Sequence, residues 1–121
     1  MALKGSQRLP KAARLRKRRE FLKLSQAGVK LQSANFVVIS GTKGGQECRL
    51  GITVSGKVGN SVTRNRIKRQ VREFFRRRRA DWQPGMDFLV IARKSAAGLP
   101  GPIIESELGR VLGHESPRRR A

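Results

Sequence analysis

Residues Cys48–Ala92 read CRLGITVSGKVGNSVTRNRIKRQVREFFRRRRADWQPGMDFLVIA, and this stretch decides the fold. Its first part, Cys48–Ser55, is aliphatic and β-branched and predicts a strand. Gly56–Asn60 breaks that strand, and Asn60 or Ser61 can cap a helix. From Ser61 to Arg77 the apolar residues Ile67, Val71, Phe74 and Phe75 recur at i, i+4, i+7 and i+8, one stripe of an amphipathic helix. Arg78 would fall back on that stripe, so the helix is expected to fray there. Asp81–Gly85 is a turn. Met86–Ala92 is nearly continuous in apolar residues, the pattern of a central strand buried on both faces. The helix can then act as a crossover between strands of one sheet.

Upstream, Lys11–Ala27 predicts a helix with Leu15, Phe21, Leu22 and Leu24 as its apolar face and Gly28 as its stop. Asn35–Ser40 (NFVVIS) predicts a strand. Thr42–Gln46 (TKGGQ) is turn chemistry, so the strand at Cys48–Ser55 is expected to pair back on the first. Downstream, Ile103–Leu112 predicts a short amphipathic helix despite Gly109. Helices mixed with a small sheet give an α+β class, a two-layer α/β sandwich. Residues 1–8 read as a flexible basic arm, 9–113 as one α/β domain, and 114–121 as a mobile basic tail.

The chain has 121 residues, which suits one domain. Lys and Arg number 28 against 8 Asp and Glu, a formal charge of +20. Leu, Ile, Val and Phe make up about 26% of the chain, above the roughly 20% below which highly charged chains stay disordered. A modest core is therefore affordable, with the excess charge on its surface. No apolar run approaches the roughly 20 residues of a membrane helix, and the N-terminus has no apolar signal segment. One cysteine, Cys48, excludes an internal disulfide and a multi-cysteine zinc site. These features favour a cytoplasmic protein with a polyanionic partner and no membrane. Phosphate neutralisation releases counterions and gives affinity without sequence preference.

The basic helix sharpens that expectation. Arg64–Arg79 carries nine Lys/Arg and one Glu. At about 100° per residue, Asn65, Arg69, Arg72 and Arg76 line up opposite Ile67, Val71 and Phe74, with Arg66 and Lys68 flanking the line. Like charges at i and i+4 oppose helix formation, which a bound polyanion would compensate. Arginine also offers planar, bidentate contacts to phosphate. The bland alternative is a solvated face. The Asn65 amide could meet a 2′-hydroxyl or base edge, or cap locally.

Catalytic chemistry is not legible. The acids Glu20, Glu47, Glu73, Asp81, Asp87, Glu105, Glu107 and Glu115 are scattered, and Glu105 and Glu107 point in different directions on a helix. His114 stands alone near the tail, and Cys48 reads as a small core residue. Protein nucleases need carboxylate-bound metals or a histidine acid–base pair. The residues alone leave open a ribosomal or other structural RNA-binding protein, and a DNA-compacting one.

Gly51–Arg69 (GITVSGKVGNSVTRNRIKR) closely resembles the signature of the bacterial ribonuclease P protein subunit. In that family a strand ending in V-S-x-K-x-G precedes R-N-R-x-K-R, which opens a basic helix. The likeness extends to Arg14–Lys17, Glu20-Phe21, Phe36–Val38, Asp87-Phe88 and Ile91–Lys94, and so covers roughly Leu9–Leu112. It implies a small, mainly antiparallel sheet of about four strands with three helices and a left-handed βαβ crossover, against the right-handed default. The fourth strand is then expected within Cys48–Lys57.

The resemblance also implies a role: a subunit of an endoribonuclease that removes the 5′ leader of precursor tRNA. Catalysis and magnesium belong to its RNA subunit, and no cofactor sits on the protein. Its partners are the catalytic RNA, at one to one, and precursor tRNA. Lys57, Arg64, Asn65, Arg66, Lys68 and Arg69 match the motif that faces that RNA, and Arg72 and Arg76 continue the ridge. Phe21 and Phe36 look like leader-cleft residues between the first helix and the sheet, with Arg14, Lys17 and Arg18 nearby. Core packing is the competing reading for both rings. Ser25 and Ile39 stand where the family often has aromatics, and Gly56 where it often has a base. Stacking is worth about 1–3 kcal/mol per base, so this cleft is expected to lean on charge and aliphatic contact.

Overall fold

The apolar run Met86–Ala92 lies in the interior of a four-stranded sheet, and the rest of the chain is arranged around it. The computed structural model describes residues 18–42, 48–78 and 85–115, without the side chains of Phe21, Ser25, Ala27, Thr42 and residues 113–115. The elements are α1 (Arg18–Ala27), β1 (Val29–Gln32), β2 (Phe36–Thr42), β3 (Arg49–Thr53), α2 (Ser61–Arg78), β4 (Met86–Ala92), a 3-10 turn at Lys94–Ala96, and α3 (Gly101–Glu115). The expected arm at 1–8, Arg14, Leu15, Lys17 and the end of the tail lie outside the described residues.

The sheet order is β1-β2-β4-β3. β1 with β2 and β2 with β4 are antiparallel, while β3 with β4 is parallel. The sheet is thus mainly antiparallel, and α2 is the crossover of the parallel pair. Two expectations fail here. The strand after the TKGGQ turn does not pair back on β2, because β4 lies between them. A strand with nearly every residue buried belongs in the sheet interior, where both of its edges and both of its faces are covered. The fourth strand is not within Cys48–Lys57 either. It is Val29–Gln32, directly behind the first helix, and its pairing Val29↔Ser40 through Gln32↔Val37 makes it an edge strand.

Strand alternation divides the side chains between two faces. One face carries Phe36, Val38, Leu50, Phe88 and Val90, and packs on Ile67, Val71, Phe74 and Phe75 of α2 and Ile104, Leu108 and Leu112 of α3. Phe75 and Phe88 meet edge to face, with centroids 5.8 Å apart. Cys48 is buried in the same core. The other face is covered by α1, through Leu24 on Ile39 and Leu89, with Val37 and Ile91 half-buried beside them. Leu22, expected on the apolar side of α1, is instead half exposed.

Helix ends follow local chemistry. The Asn60 side chain accepts the Thr63 N–H at 2.9 Å, and its carbonyl accepts the Arg64 N–H, so Asn60 is the cap of α2. The helix persists through Arg78, where fraying was expected. The Arg78 guanidinium lies over the Phe74 ring, 4.9 Å from its centroid, so the charge rests on the stripe rather than breaking it. α1 ends as anticipated, with the Gly28 N–H donating to the Leu24 carbonyl at 2.8 Å. A Cβ on Gly28 would come within 2.6 Å of Ile39 and 2.8 Å of the Ser40 carbonyl, so only glycine lets the chain turn this close to the sheet. α3 runs to Glu115, so His114 belongs to the helix rather than to a tail. Among the described residues, no helix is long and apolar enough to cross a membrane.

Candidate nucleic-acid interface

Two surfaces carry the residues singled out from the sequence. The first is the outer side of α2. Ile67, Val71, Phe74 and Phe75 are buried, while Asn65, Arg69 and Arg72 are exposed and Lys68 is intermediate. The 100° arithmetic therefore holds: one side of the helix is clamped to the sheet and the other is cationic. Lys57 is exposed in the loop before the cap, and the first turn of α2 has no acid to offset its positive end.

The arginines of this helix are not equivalent. Arg64 donates through Nε to the Gly59 carbonyl at 3.1 Å and braces the loop that leads into α2. Arg66 donates to the Leu99 carbonyl and ties α2 to the segment before α3. Arg76 pairs with Glu73 at 3.0 Å, so this end of the ridge is partly neutralised. Arg77 pairs with Glu105 of α3. The capping role open to Asn65 is filled by Asn60, which leaves the Asn65 amide on the exposed ridge.

The second surface is the sheet face beside α1. Arg18 is exposed at the start of that helix; Arg14 and Lys17 lie outside the described residues, and Phe21 is described only as helical backbone. Of the two readings open to Phe36, cleft and core, its position fits the core. It opposes Ala92 in the ladder, which puts its ring on the α2–α3 side, fully buried at 0% exposure. A ring there cannot stack on a base without opening the core. Ile39 lies on the α1 side but is covered by that helix. Among the described side chains, what remains accessible on this face is mainly aliphatic and cationic. Val37 and Ile91 are half-buried and Thr53 is exposed. Lys30 and Gln32 pair with Ile39 and Val37, and so share their face. Arg93 donates to the Gln32 side chain at 2.9 Å and is exposed at the same edge.

Sequence reasoning missed Arg49. It sits between α1 and the sheet and donates Nε and Nη2 to the two Asp87 oxygens at 2.9 and 2.8 Å, and Nη1 to Glu20 at 2.9 Å. The Asp87 hydrogen bonds chiefly, against the opposing effect of burial, hold the guanidinium in its charged form. The signal was an aspartate inside an otherwise apolar strand, since a buried carboxylate demands a partner.

The remaining buried acid among the described residues is Glu107 of α3. It accepts the Ser33 hydroxyl, the Asn35 N–H and the Asn35 side-chain amide, the last two at 2.7 Å. Burial pushes its carboxyl upward, but those hydrogen bonds and nearby Arg110 outweigh it and hold the group below its ordinary range. Glu107 lines a groove of about 690 Å³ between the β1–β2 turn and α3, where it fastens one to the other. Among the described residues, no three of His, Cys, Asp and Glu group as metal ligands. Glu20, Glu73, Asp87, Glu105 and Glu107 are all engaged in holding structure.

Comparison with known proteins points to one family. The family profile for ribonuclease P matches residues 9–115. The ribonuclease P protein component of Desulfatibacillum aliphaticivorans is 40% identical over 116 residues, spanning 96% of this chain and 98% of that relative. The solved ribonuclease P protein of Staphylococcus aureus superposes with a TM-score of 0.80 at 36% identity, covering 86% of this chain and 95% of that one. For the protein from Thermotoga maritima the TM-score is 0.76 at 37% identity, covering 84% and 96%.

Proposed function

This chain belongs to the ribonuclease P protein family, and from that premise we propose that it is the protein subunit of a ribonuclease P ribonucleoprotein, an endoribonuclease that frees the 5′ end of tRNA. The observation that carries the reading is α2: a helix with one side locked in the core and Asn65, Arg69 and Arg72 turned outward. In this reading the ridge, with Lys57, Arg64, Arg66, Lys68 and Arg76 around it, binds the catalytic RNA one to one. Charge-assisted hydrogen bonds to phosphate supply affinity, and counterion release supplies its salt dependence.

The 5′ leader of precursor tRNA runs across the sheet face beside α1. An unpaired strand needs cations along its backbone and surfaces against its bases. Arg18, Lys30 and Arg93 offer the first, and Val37, Ile91 and Thr53 the second; Arg14, Lys17 and Phe21 are assigned to the leader on the family resemblance alone. Phe36 takes no part. Bond cleavage and the magnesium ions that serve it stay with the RNA, and the particle works in the cytoplasm. The protein contributes binding and alignment.

The test is cleavage of precursor tRNA by the catalytic RNA at low magnesium, with and without this chain. Added protein should speed cleavage under conditions where RNA alone is slow, because its cations replace part of the screening that magnesium provides. No gain would remove the proposal.

A further inference from the structure

We propose that Arg49 is a positioning residue that sets how α1 lies over the sheet and thereby shapes the groove that receives the leader. This rests on the leader-groove reading above. Among the described side chains, few contacts seat α1. Its apolar anchor among the described side chains is Leu24, packed on Ile39 and Leu89. Close approach there is enforced by Gly28 and by Gly41, where a Cβ would meet Leu24 at 2.8 Å. These contacts fix only the C-terminal end of the helix.

Glu20 lies one turn earlier than Leu24, on nearly the same side. It joins the N-terminal half of the helix to the sheet through Arg49 at 2.9 Å. Arg49 is itself held by a two-point contact with Asp87 on the interior strand β4. A fork anchored at two points has little freedom left, so its third nitrogen presents Glu20 with a fixed direction. The side chains of all three residues are largely withdrawn from water, at 18% exposure for Arg49, 21% for Glu20 and 10% for Asp87. Arg49 is therefore spent on two carboxylates and is not one of the cations offered to phosphate. Phe21 follows Glu20 about 100° further round the helix, and Arg18 about 160° away, so rotating or lifting Glu20 moves both relative to Val37 and Ile91.

The test uses the holoenzyme reconstituted with the full chain carrying Glu20→Gln, Arg49→Lys or both. Glu20→Gln keeps an acceptor and Arg49→Lys keeps a cation, so neither strands a bare carboxylate pair. Cleavage is followed on precursor tRNA with a leader of several nucleotides and on one with its leader cut to a single nucleotide. Each variant should raise the half-saturating concentration for the long-leader substrate roughly threefold to tenfold. The short-leader substrate, the rate at saturation and the affinity for the catalytic RNA should stay within about twofold of the parent. The double variant should lose no more than the worse single one, since both act through one contact. Equal weakening on both substrates, or a parallel fall in affinity for the RNA subunit, would overturn the proposal by reducing Arg49 to a general stabiliser. Unchanged binding of both substrates would overturn it as well. If the parent protein shows no leader-length dependence, the groove reading itself fails, and that is seen before any variant is made.

Discussion

The two faces of the sheet solve the same problem in different ways. On the α2–α3 side, Phe36, Val38, Leu50, Phe88 and Val90 meet two helices in a continuous apolar layer. On the α1 side, the buried apolar residues among those described, Leu24, Ile39 and Leu89, are helped by an ion-paired triad, and Val37 and Ile91 stay half open. Burial of apolar area is non-directional and strong, so the first face fixes topology. Ion pairs and hydrogen bonds are directional and contribute less net stability, so the second face sets orientation while leaving surface uncovered. A surface that is to receive a nucleic acid cannot also be sealed. The sparse packing of the described side chains under α1 is what the proposed leader surface would require.

That contrast is most exposed to failure in the core. Phe88→Ala removes a ring with 0% exposure that packs edge-on to Phe75. It should cost about 3–5 kcal/mol, a large share of the roughly 5–15 kcal/mol that holds a domain together. Leu24→Ala, at the border of solvent, should cost about 2 kcal/mol, the low end for a leucine truncation. Urea unfolding with a constant slope measures both. Comparable losses would mean that the α1 side is as tightly packed as the other, and the distinction would collapse.

Glu107 gives a smaller and pH-dependent effect, on the side that relies on packing. Glu107→Ala leaves the Ser33 hydroxyl and the Asn35 donors without their acceptor and should cost about 1–3 kcal/mol. The sign with pH follows from its lowered folded-state value. A depressed carboxyl contributes stability that is fully present above the unfolded value near 4.5 and is lost as pH falls through the lower folded value. Stability of the parent should therefore drop on acidification below about pH 4.5, and Glu107→Gln should flatten that drop. An identical acid limb in the variant would show that the carboxylate is not held as its contacts indicate.

The same contrast explains what could be read from the sequence. α2 and β4 were legible because each satisfies one period over a long run, 3.6 in Ile67–Phe75 and near-continuous burial in Met86–Ala92. The outward ridge followed from angle arithmetic alone. β1 was not legible: VKLQ is four residues long with Val29 and Lys30 exposed, too short and too polar to stand out beside a helix end. The partner of β3 was not legible either, since a turn-rich segment before it suits a hairpin and an edge placement equally. The side taken by Phe36 depends on the register that pairs it with Ala92, and no local pattern carries that. The Arg49 triad joins residues 20, 49 and 87 and exists only once the sheet is assembled. The ridge was thus readable from one helix, whereas the groove needed the whole fold.

The smallest effect on stability is expected on the ridge, and there two arginines of one helix should part company. Arg69 is exposed, and its removal from a chain of charge +20 relieves repulsion while adding a strong helix former. Arg69→Ala should shift stability by no more than about 0.5 kcal/mol, in either direction. Its affinity for the catalytic RNA should fall, and the slope of log K against log salt should flatten by roughly 0.7–0.9 for the one phosphate no longer neutralised. Arg66 is half-buried and donates to the Leu99 carbonyl, so Arg66→Ala should lose about 1 kcal/mol of stability in addition to any binding it supports. Thermal unfolding and salt-dependent binding on the two variants separate a residue that only meets RNA from one that also ties α2 to the chain before α3. If Arg69→Ala left the salt slope untouched, the outward side of α2 would face water rather than phosphate, and the RNA-binding surface of the molecule would have to be sought on the sheet face alone.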